Sequence, residues 1–125
     1  MIFGTGVDLV EISRIERSLE KYLEKFETRL FTQTEIDYCR SKAGSAKHFA
    51  ARFAVKEAVL KSMGVGMDHG IAWTDIETLN EESGRPYLQL HGKGRALFDE
   101  LELRAIHISI SHTQEHAIAY AVAEK

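Results

Sequence analysis

The sequence has 125 residues, of which 44% are hydrophobic and 28% are charged, and its formal net charge is −3. These values are typical of one globular domain with its own core, so we predict a single domain over residues 1–125 and exclude a disordered or collagen-like chain. The net negative charge gives no electrostatic reason to expect a nucleic acid or an anionic membrane as the main partner.

Features that report on cellular location point to the cytoplasm. Cys39 is the only cysteine, so no intrachain disulfide can form, which suits a reducing compartment. The first residues, MIFGTGVDLVE, contain two acidic residues and lack the basic and long apolar segments of a signal peptide, so we expect none. No apolar run approaches the ~20 residues needed to cross a bilayer.

The N-terminal part of the chain predicts a strand followed by an amphipathic helix. Residues 2–10 are apolar and β-branched, and their two glycines indicate an irregular strand or one that other backbone approaches closely. Over residues 12–30 the apolar residues recur at spacings of three and four, which places them on one helix face. These residues are Ile12, Ile15, Leu19, Tyr22, Leu23, Phe26 and Leu30.

Two further helices are predicted before the middle of the chain. Thr32 and Thr34 can each cap a short helix over roughly 35–42. Residues 46–63 form the clearest helix of the sequence, and Gly64 is a natural stop at its end. One face of this helix carries its large apolar residues: Phe49, Phe53, Leu60 and Met63.

The second half of the chain predicts mainly strands. Short apolar or alternating runs, separated by turn residues, predict strands over 71–79, 86–91, 106–111 and 116–123. Glu82-Ser83-Gly84-Arg85 supplies the first turn, and a short helix is predicted over 93–102. The sequence contains both helices and strands and has no internal repeat, low-complexity stretch or linker, so we predict one α+β domain.

Asp8 is a carboxylate within an otherwise apolar strand segment. Burying an ionised carboxylate is costly unless it is paired or bound to a cation. Asp8 is therefore either a turn or cap residue or an oxygen ligand for Mg²⁺. That ion takes few protein carboxylates and fills its other positions with water and substrate phosphate.

Glu57 and Lys61 are four residues apart on the helix over 46–63, so they share a face. They could form an ordinary surface ion pair. The same side, however, carries small residues that would let a strand bearing Asp8 come close: Ala50, Ala54 and Ala58. With Arg52 one turn earlier, this set suits a metal-held, anionic substrate.

His112 lies in the predicted turn between the last two strands, where it either is solvated or belongs to a site. The preceding strand has one polar face, formed by His107, Ser109 and Ser111. The remaining histidines lack zinc-site spacing such as HExxH, and one cysteine gives zinc little support. The sequence also lacks a P-loop, a GxGxxG motif after a strand and a GxSxG motif.

Four segments, taken in order, resemble the holo-acyl-carrier-protein synthase family, the small bacterial phosphopantetheinyl transferases. They are GVDLVEISRI, RFAVKEAVLKSMG, SGRPYLQL and HISISHT. The resemblance runs from Met1 to about Glu124. It implies an α+β homotrimer with active sites at subunit interfaces.

The resemblance also implies roles for individual residues. Asp8 and Glu57 match the carboxylates that hold Mg²⁺, and Lys61 matches a lysine at the substrate phosphates. Arg52 matches a basic residue that holds a coenzyme A phosphate, and His112 a histidine at the nucleotide end of coenzyme A. Glu57 and Lys61 are the implied catalytic residues.

The reaction implied by the resemblance moves 4′-phosphopantetheine from coenzyme A to a serine of an apo-acyl carrier protein, in support of fatty acid biosynthesis. Adenosine 3′,5′-bisphosphate is released. The general base is either Glu57 or a water molecule on the metal.

A basic stripe on the helix over 12–30 is a candidate surface for the acidic carrier protein. At about 100° per residue, four basic residues fall within an arc of roughly 80°. They are Arg14, Arg17, Lys21 and Lys25. The alternative is an ordinary solvated face in which glutamates pair with neighbouring lysines.

Two other functions are compatible with the same residues. A small Mg²⁺-dependent phosphohydrolase would use the Asp8 and Glu57 carboxylates without any carrier protein. A non-catalytic module that grips an acidic partner would need neither metal nor turnover.

Overall fold

The first strand and the last two strands of the chain form one antiparallel sheet. The structure is a computed structural model that describes residues 1–125 apart from the side chain of Asp68. In it β5 (His116–Glu124) is the central strand, with β1 (Ile2–Glu11) on one side and β4 (Ala105–His112) on the other. These three strands confirm the sequence prediction to within one residue at each end.

The alternation of side chains along β5 determines which face of the sheet is buried. Ile118 and Tyr120 are 38% and 46% exposed, whereas every second residue is a buried alanine: Ala117, Ala119, Ala121 and Ala123. Successive side chains of a strand point to opposite faces. The sheet therefore has one buried alanine face and one open face that carries larger apolar residues.

Helix α3 lies on the alanine face at very short backbone distances. The helix spans Ser45–Ser62, close to the predicted 46–63. A Cβ atom at Gly6 would lie 1.9 Å from the Ala58 carbonyl oxygen, and one at Gly4 would lie 2.3 Å from the Ser62 carbonyl oxygen. Only glycine fits at these positions of β1. This confirms the predicted close approach to the first strand and to the small residues of the helix.

Helices α1 and α2 precede α3. Helix α1 spans Ile12–Leu30 as predicted, but the backbone of Leu23 is non-helical, with φ 27° and ψ −102°. Tyr22 and Leu23 are 53% and 54% exposed, so their predicted place on the buried face is wrong. Beyond the kink Glu27 is buried instead and pairs with Arg40. The change in backbone direction thus interrupts the predicted apolar face.

Helix α2 (Gln33–Arg40) begins two residues earlier than predicted. Its capping box explains the start: the Thr32 hydroxyl accepts from the Glu35 N–H, and the Glu35 carboxylate accepts from the Thr32 N–H. Thr32, not Thr34, is therefore the cap.

The middle of the chain forms a two-stranded hairpin of β2 (Ile76–Asn80) and β3 (Pro86–Leu90). The predicted strand over 71–79 begins too early, because Trp73–Asp75 is a 3₁₀ turn in which the Asp75 carboxylate accepts from the Ala72 N–H.

Helix α4 (Gly92–Glu100) follows the hairpin, and Met67–His69 forms a second 3₁₀ turn before it. Strands and helices arranged in this way confirm the predicted α+β class. Among the described residues, no helix is both long and apolar enough to cross a membrane.

Candidate active site

Strand β1 and helices α1 and α3 together line a cleft that contains the carboxylates of Asp8, Glu11 and Glu57. Asp8 of β1 and Glu57 of α3 line this carboxylate cleft, with Arg14 of α1 at its edge. Ile15 and Phe53 contribute apolar surface. Its volume of about 480 Å³ is within the range of small-molecule sites. The structure thus brings the two predicted metal carboxylates into one cleft, although they are far apart in the sequence.

The electrostatics of Glu57 show that the two carboxylates interact. Burial raises the pKa of Glu57, the Asp8 carboxylate raises it further, and the Lys61 ammonium partly offsets both effects. A nearby like charge disfavours ionisation. Two carboxylates in this arrangement favour a bound cation, which would lower the repulsion between them.

Lys61 lies beside the same pair of residues. Its ammonium donates to the Val7 carbonyl oxygen at 2.9 Å and to Asp8 Oδ1 at 3.3 Å. The Lys61 side chain is 52% exposed and that of Asp8 19%. The ammonium therefore contacts one carboxylate of the cleft and retains access to solvent.

The donor set of the cleft fits Mg²⁺. Among the described side chains, no group of three or more His, Cys, Asp or Glu residues could hold a metal ion. Mg²⁺ is commonly bound through one or two carboxylates, with water and substrate phosphates in its other positions. Asp8 and Glu57 meet that requirement.

A second, basic cleft lies between α3, β4 and the turn of the hairpin. Arg52, Arg85, His48 and His112 line it, and its volume is also about 480 Å³. Burial lowers the pKa of His48, and the positive charges of neighbours, first Lys47 and then Arg52, lower it further. The potential in the basic cleft is therefore positive, which suits a phosphate-bearing ligand.

Arg52 is held at the base of this cleft with one donor unused. Its guanidinium lies 4.0 Å from the centroid of the Tyr38 ring, and Nη2 donates to Asn80 Oδ1 at 2.6 Å. The residue is only 3% exposed, and its buried Nε has no hydrogen-bond partner. Buried donors are normally satisfied, so the orphaned Nε indicates a ligand or water acceptor.

Within one chain the two clefts are separate. Arg52 and His112 line the basic cleft, whereas Asp8 and Glu57 line the carboxylate cleft. Positions 52 and 57 differ by about 140° around a helix, so the two side chains leave α3 on different sides. The sequence analysis predicted that Glu57, Lys61 and Arg52 form one set, and it did not anticipate this separation.

Several residues of the basic cleft were missed by the sequence reasoning. Asn80, Arg85 and His48 all line it. Asn80 Nδ2 donates to the Gly84 carbonyl at 3.0 Å while its Oδ1 holds Arg52, so it connects the hairpin turn to the helix. The turn over residues 82–85 was the available signal for Arg85, but its position beside α3 depends on the packing of the hairpin.

The basic stripe of α1 is exposed but is not continuous. Arg14 lines the carboxylate cleft, whereas Arg17, Lys21 and Lys25 do not. The predicted arc assumed a regular helix, and the kink at Leu23 lies between Lys21 and Lys25. Lys25 is therefore out of regular helical phase with the other three.

Comparison with known proteins shows the family to which this chain belongs. The family described as the 4′-phosphopantetheinyl transferase superfamily matches residues 4–121. The chain belongs to this superfamily. A holo-acyl-carrier-protein synthase of Koribacter versatilis is 44% identical, over 99% of each chain. One of Geobacter metallireducens is 46% identical, over 100% of this chain and 99% of the relative. These relatives confirm the family resemblance and the prediction of a phosphopantetheinyl transferase enzyme.

Solved structures of holo-acyl-carrier-protein synthases share this fold. The protein from Neisseria meningitidis has a TM-score of 0.92 at 28% identity, with 100% of both chains covered. The protein from Bacillus anthracis, solved in complex with CoA (3′,5′-ADP), has a TM-score of 0.81 at 35% identity. The match covers 100% of this chain and 98% of the Bacillus anthracis chain. The α+β architecture is thus shared over the whole chain.

Proposed function

We propose that this enzyme transfers 4′-phosphopantetheine from coenzyme A to a serine of an apo-acyl carrier protein, with Mg²⁺ as cofactor and in support of fatty acid biosynthesis. The observation that carries the proposal is the convergence of Asp8 and Glu57 on one cleft with the Lys61 ammonium beside them. Membership of the superfamily supports the reaction class.

Asp8 and Glu57 would hold the metal through their carboxylate oxygens. When bound, Mg²⁺ would neutralise charge that develops on the pyrophosphate of coenzyme A. Lys61 would add a positive charge at the same phosphates, where it stabilises the transition state more than the ground state.

The bond changes of the transfer require an acceptor that this chain does not supply. The serine oxygen of the carrier protein forms a bond to the phosphorus that bears pantetheine, and the bond from that phosphorus to adenosine 3′,5′-bisphosphate breaks. Glu57, which lines the cleft, is the proposed acceptor of the serine proton.

The basic cleft would bind the nucleotide end of coenzyme A. Arg52 has an unused buried donor, and His112 and Arg85 add polar and positive groups around the same space. The holo-acyl-carrier-protein synthase of Helicobacter pylori was solved in complex with coenzyme A. It is 30% identical to this chain, and the match covers 96% of this chain. The charge of the cleft in this chain supports the same ligand.

We propose a homotrimer, the assembly implied by the family resemblance, and the open sheet face supports an assembly because it carries apolar side chains that one chain does not cover. Val7, Leu9, Ile118 and Tyr120 are between 38% and 63% exposed on neighbouring strands. In such an assembly the basic cleft of one subunit would face the carboxylate cleft of the next. Light scattering that gave a monomer mass for the active enzyme would refute this assembly.

The exposed basic side chains of α1 are proposed to receive the acidic carrier protein. Arg14 lies closest to the chemistry because it also lines the carboxylate cleft. Arg17, Lys21 and Lys25 would add attraction that weakens with salt, because exposed charges are screened over about 8–10 Å at physiological ionic strength. Arg14→Glu should raise KM for the carrier protein and leave KM for coenzyme A nearly unchanged. Equal changes in both constants would contradict the docking role.

The reaction is tested by intact-mass measurement of an apo-carrier protein incubated with this chain, coenzyme A and Mg²⁺. We expect the carrier protein to gain one phosphopantetheine group, and a carrier variant with the acceptor serine replaced by alanine to gain none. Consumption of coenzyme A without a carrier protein would instead indicate a phosphohydrolase. Binding without turnover would indicate a non-catalytic module.

The proposed location is the cytoplasm, with residues 1–125 acting as one domain. Cys39 is a free, buried thiol whose pKa is raised by burial to about 12, so it is unreactive and compatible with a reducing compartment.

A further inference from the structure

The ammonium of Lys61 occupies the same carboxylate that is proposed to bind the metal. Its Nζ lies 3.3 Å from Asp8 Oδ1 and 2.9 Å from the Val7 carbonyl oxygen. A divalent cation on Asp8 would therefore lie within a few ångströms of the Lys61 ammonium. Like charges at this distance repel each other strongly unless one of them moves or is neutralised.

The structure lets the tip of Lys61 move while its base stays in place. A Cβ atom at Gly6 would lie only 2.9 Å from Lys61 Cβ, so the start of the side chain is packed against β1. The side chain as a whole is nonetheless 52% exposed. A lysine has a flexible four-carbon stem, so the ammonium can leave Asp8 without any change in the helix.

An anionic ligand would give the displaced ammonium a new acceptor. The phosphates of coenzyme A, placed at the mouth of the carboxylate cleft, carry the oxygens that Lys61 and a divalent cation both prefer. The ligand would thereby end the competition for Asp8 and also add oxygens to the coordination sphere of the cation.

We infer that Lys61 is a displaceable counter-ion that competes with the divalent cation for Asp8, so that metal and coenzyme A bind cooperatively. This inference rests on the proposed function, because it takes Asp8 and Glu57 as the metal carboxylates. Without the donor substrate the cation binds weakly, and with it the cation binds tightly. Thermodynamic linkage requires the reciprocal effect of the cation on coenzyme A.

The test is a titration of the assembled protein with Mn²⁺, followed by electron paramagnetic resonance of the free ion, in the absence of coenzyme A. Mn²⁺ accepts the same oxygen ligands as Mg²⁺. Lys61→Met keeps the length of the side chain and removes its charge, and we expect it to bind Mn²⁺ roughly tenfold more tightly than the wild type. Lys61→Arg keeps the charge and should bind like the wild type.

A matched control separates the local effect from the change in net charge. Lys125→Met removes one positive charge from the exposed C-terminus and should leave Mn²⁺ affinity nearly unchanged. Circular dichroism verifies that each variant is folded. Repeating the titration with coenzyme A, after subtracting chelation by coenzyme A alone, should show a larger gain in affinity for the wild type than for Lys61→Met.

Different outcomes would refute the competition for Asp8 and the metal site. If Lys61→Met binds Mn²⁺ no more tightly than the wild type, the competition is refuted while the metal site stands. If the wild type, Lys61→Met and Asp8→Asn all fail to bind Mn²⁺, the metal site and the competition are both refuted.

Discussion

Helix α3 carries two lysine–carboxylate pairs whose lysines are five residues apart, and their surroundings differ in almost every respect. Lys56 and Glu35 are 0% exposed, with Nζ and Oε1 2.8 Å apart. Lys61 and Asp8 are 52% and 19% exposed, with Nζ and Oδ1 3.3 Å apart. The same chemical groups thus form a buried contact at one point of the helix and an open one at the next.

The hydrogen-bond partners of the two ammonium groups explain the difference. Lys56 donates to Glu35 Oε1 and to the carbonyl oxygens of Trp73 and Ile76, which uses all of its donors. Glu35 in turn accepts from the N–H groups of Thr32 and Thr78. This network joins α2, α3 and β2, and it has no capacity left for a ligand.

Burial and the use of all hydrogen-bond donors together distinguish the structural Lys56–Glu35 pair from the functional Lys61–Asp8 pair. Burial lowers the pKa of Lys56, and the Glu35 carboxylate partly compensates. A buried charge that loses its partner is strongly destabilising, whereas an exposed pair contributes little. Lys61 retains solvent access and an unused donor, so it can exchange its partner at little cost to the fold.

The largest effect should come from breaking the buried pair. Lys56→Met should lower the free energy of unfolding by about 3–5 kcal/mol, because it leaves the Glu35 carboxylate buried without its counter-ion. The double variant Lys56→Met with Glu35→Leu should recover part of this loss. Urea denaturation measures both. A loss below about 1 kcal/mol in the single variant would contradict the structural role of the pair.

The next largest effect should come from the carboxylate of the exposed pair, and it should appear in catalysis. Asp8→Asn should lower kcat at least about 100-fold, which corresponds to roughly 2.7 kcal/mol of barrier, because the metal loses a ligand. The unfolding free energy should change by less than about 1 kcal/mol. Steady-state assays in Mg²⁺ and in excess EDTA measure this. Near-normal turnover in EDTA would refute the metal assignment.

A smaller, pH-dependent effect should mark the edge of the buried network. Glu77 accepts from the Thr32 hydroxyl and contacts His91 Nε2 at 2.9 Å. Burial alone would raise the pKa of Glu77, but these hydrogen bonds and the positive charge of Lys56 lower it overall. A carboxyl group whose folded pKa is depressed stabilises the protein above its unfolded pKa. That stabilisation is lost as the pH falls through the folded value.

Glu77→Gln should therefore destabilise the protein at neutral pH by about 1 kcal/mol. The difference from the wild type should shrink as the pH falls below the normal range of a glutamate. Denaturation curves at a series of pH values measure the trend. If the difference in unfolding free energy between the two proteins stays constant over the pH series, the ionised form of Glu77 makes no specific contribution to stability.

The smallest effect on stability is expected at Lys61. Lys61→Met should change the unfolding free energy by no more than about 0.5 kcal/mol, because an exposed pair gains little in water. It should nevertheless lower kcat, since charge develops on the phosphates in the transition state. Unchanged kcat would refute the role of Lys61, and a large loss of stability would remove the contrast with Lys56.

The sequence by itself determined the features that depend on local pattern. Period-two alternation predicted β4 and β5, and the small residues of α3 with the glycines of β1 predicted the close approach of Asp8 to Glu57. Four ordered motifs predicted the family, which the relatives confirm. Each strand, glycine or motif is a short segment in which backbone preference and side-chain periodicity act directly, and the family signal adds the order of these segments along the chain.

Only the tertiary structure decided features that depend on distant partners. Lys56 and Glu57 are adjacent charged residues of one helix. The Lys56 side chain nevertheless pairs with Glu35 in the core, whereas Glu57 lines the carboxylate cleft. The kink at Leu23 exposed Tyr22, and the turn capped by Asp75 shortened β2. The two clefts are separate because Arg52 and Glu57 leave α3 in different directions. Burial and hydrogen-bond saturation depend on contacts between distant segments, and no local periodicity encodes them.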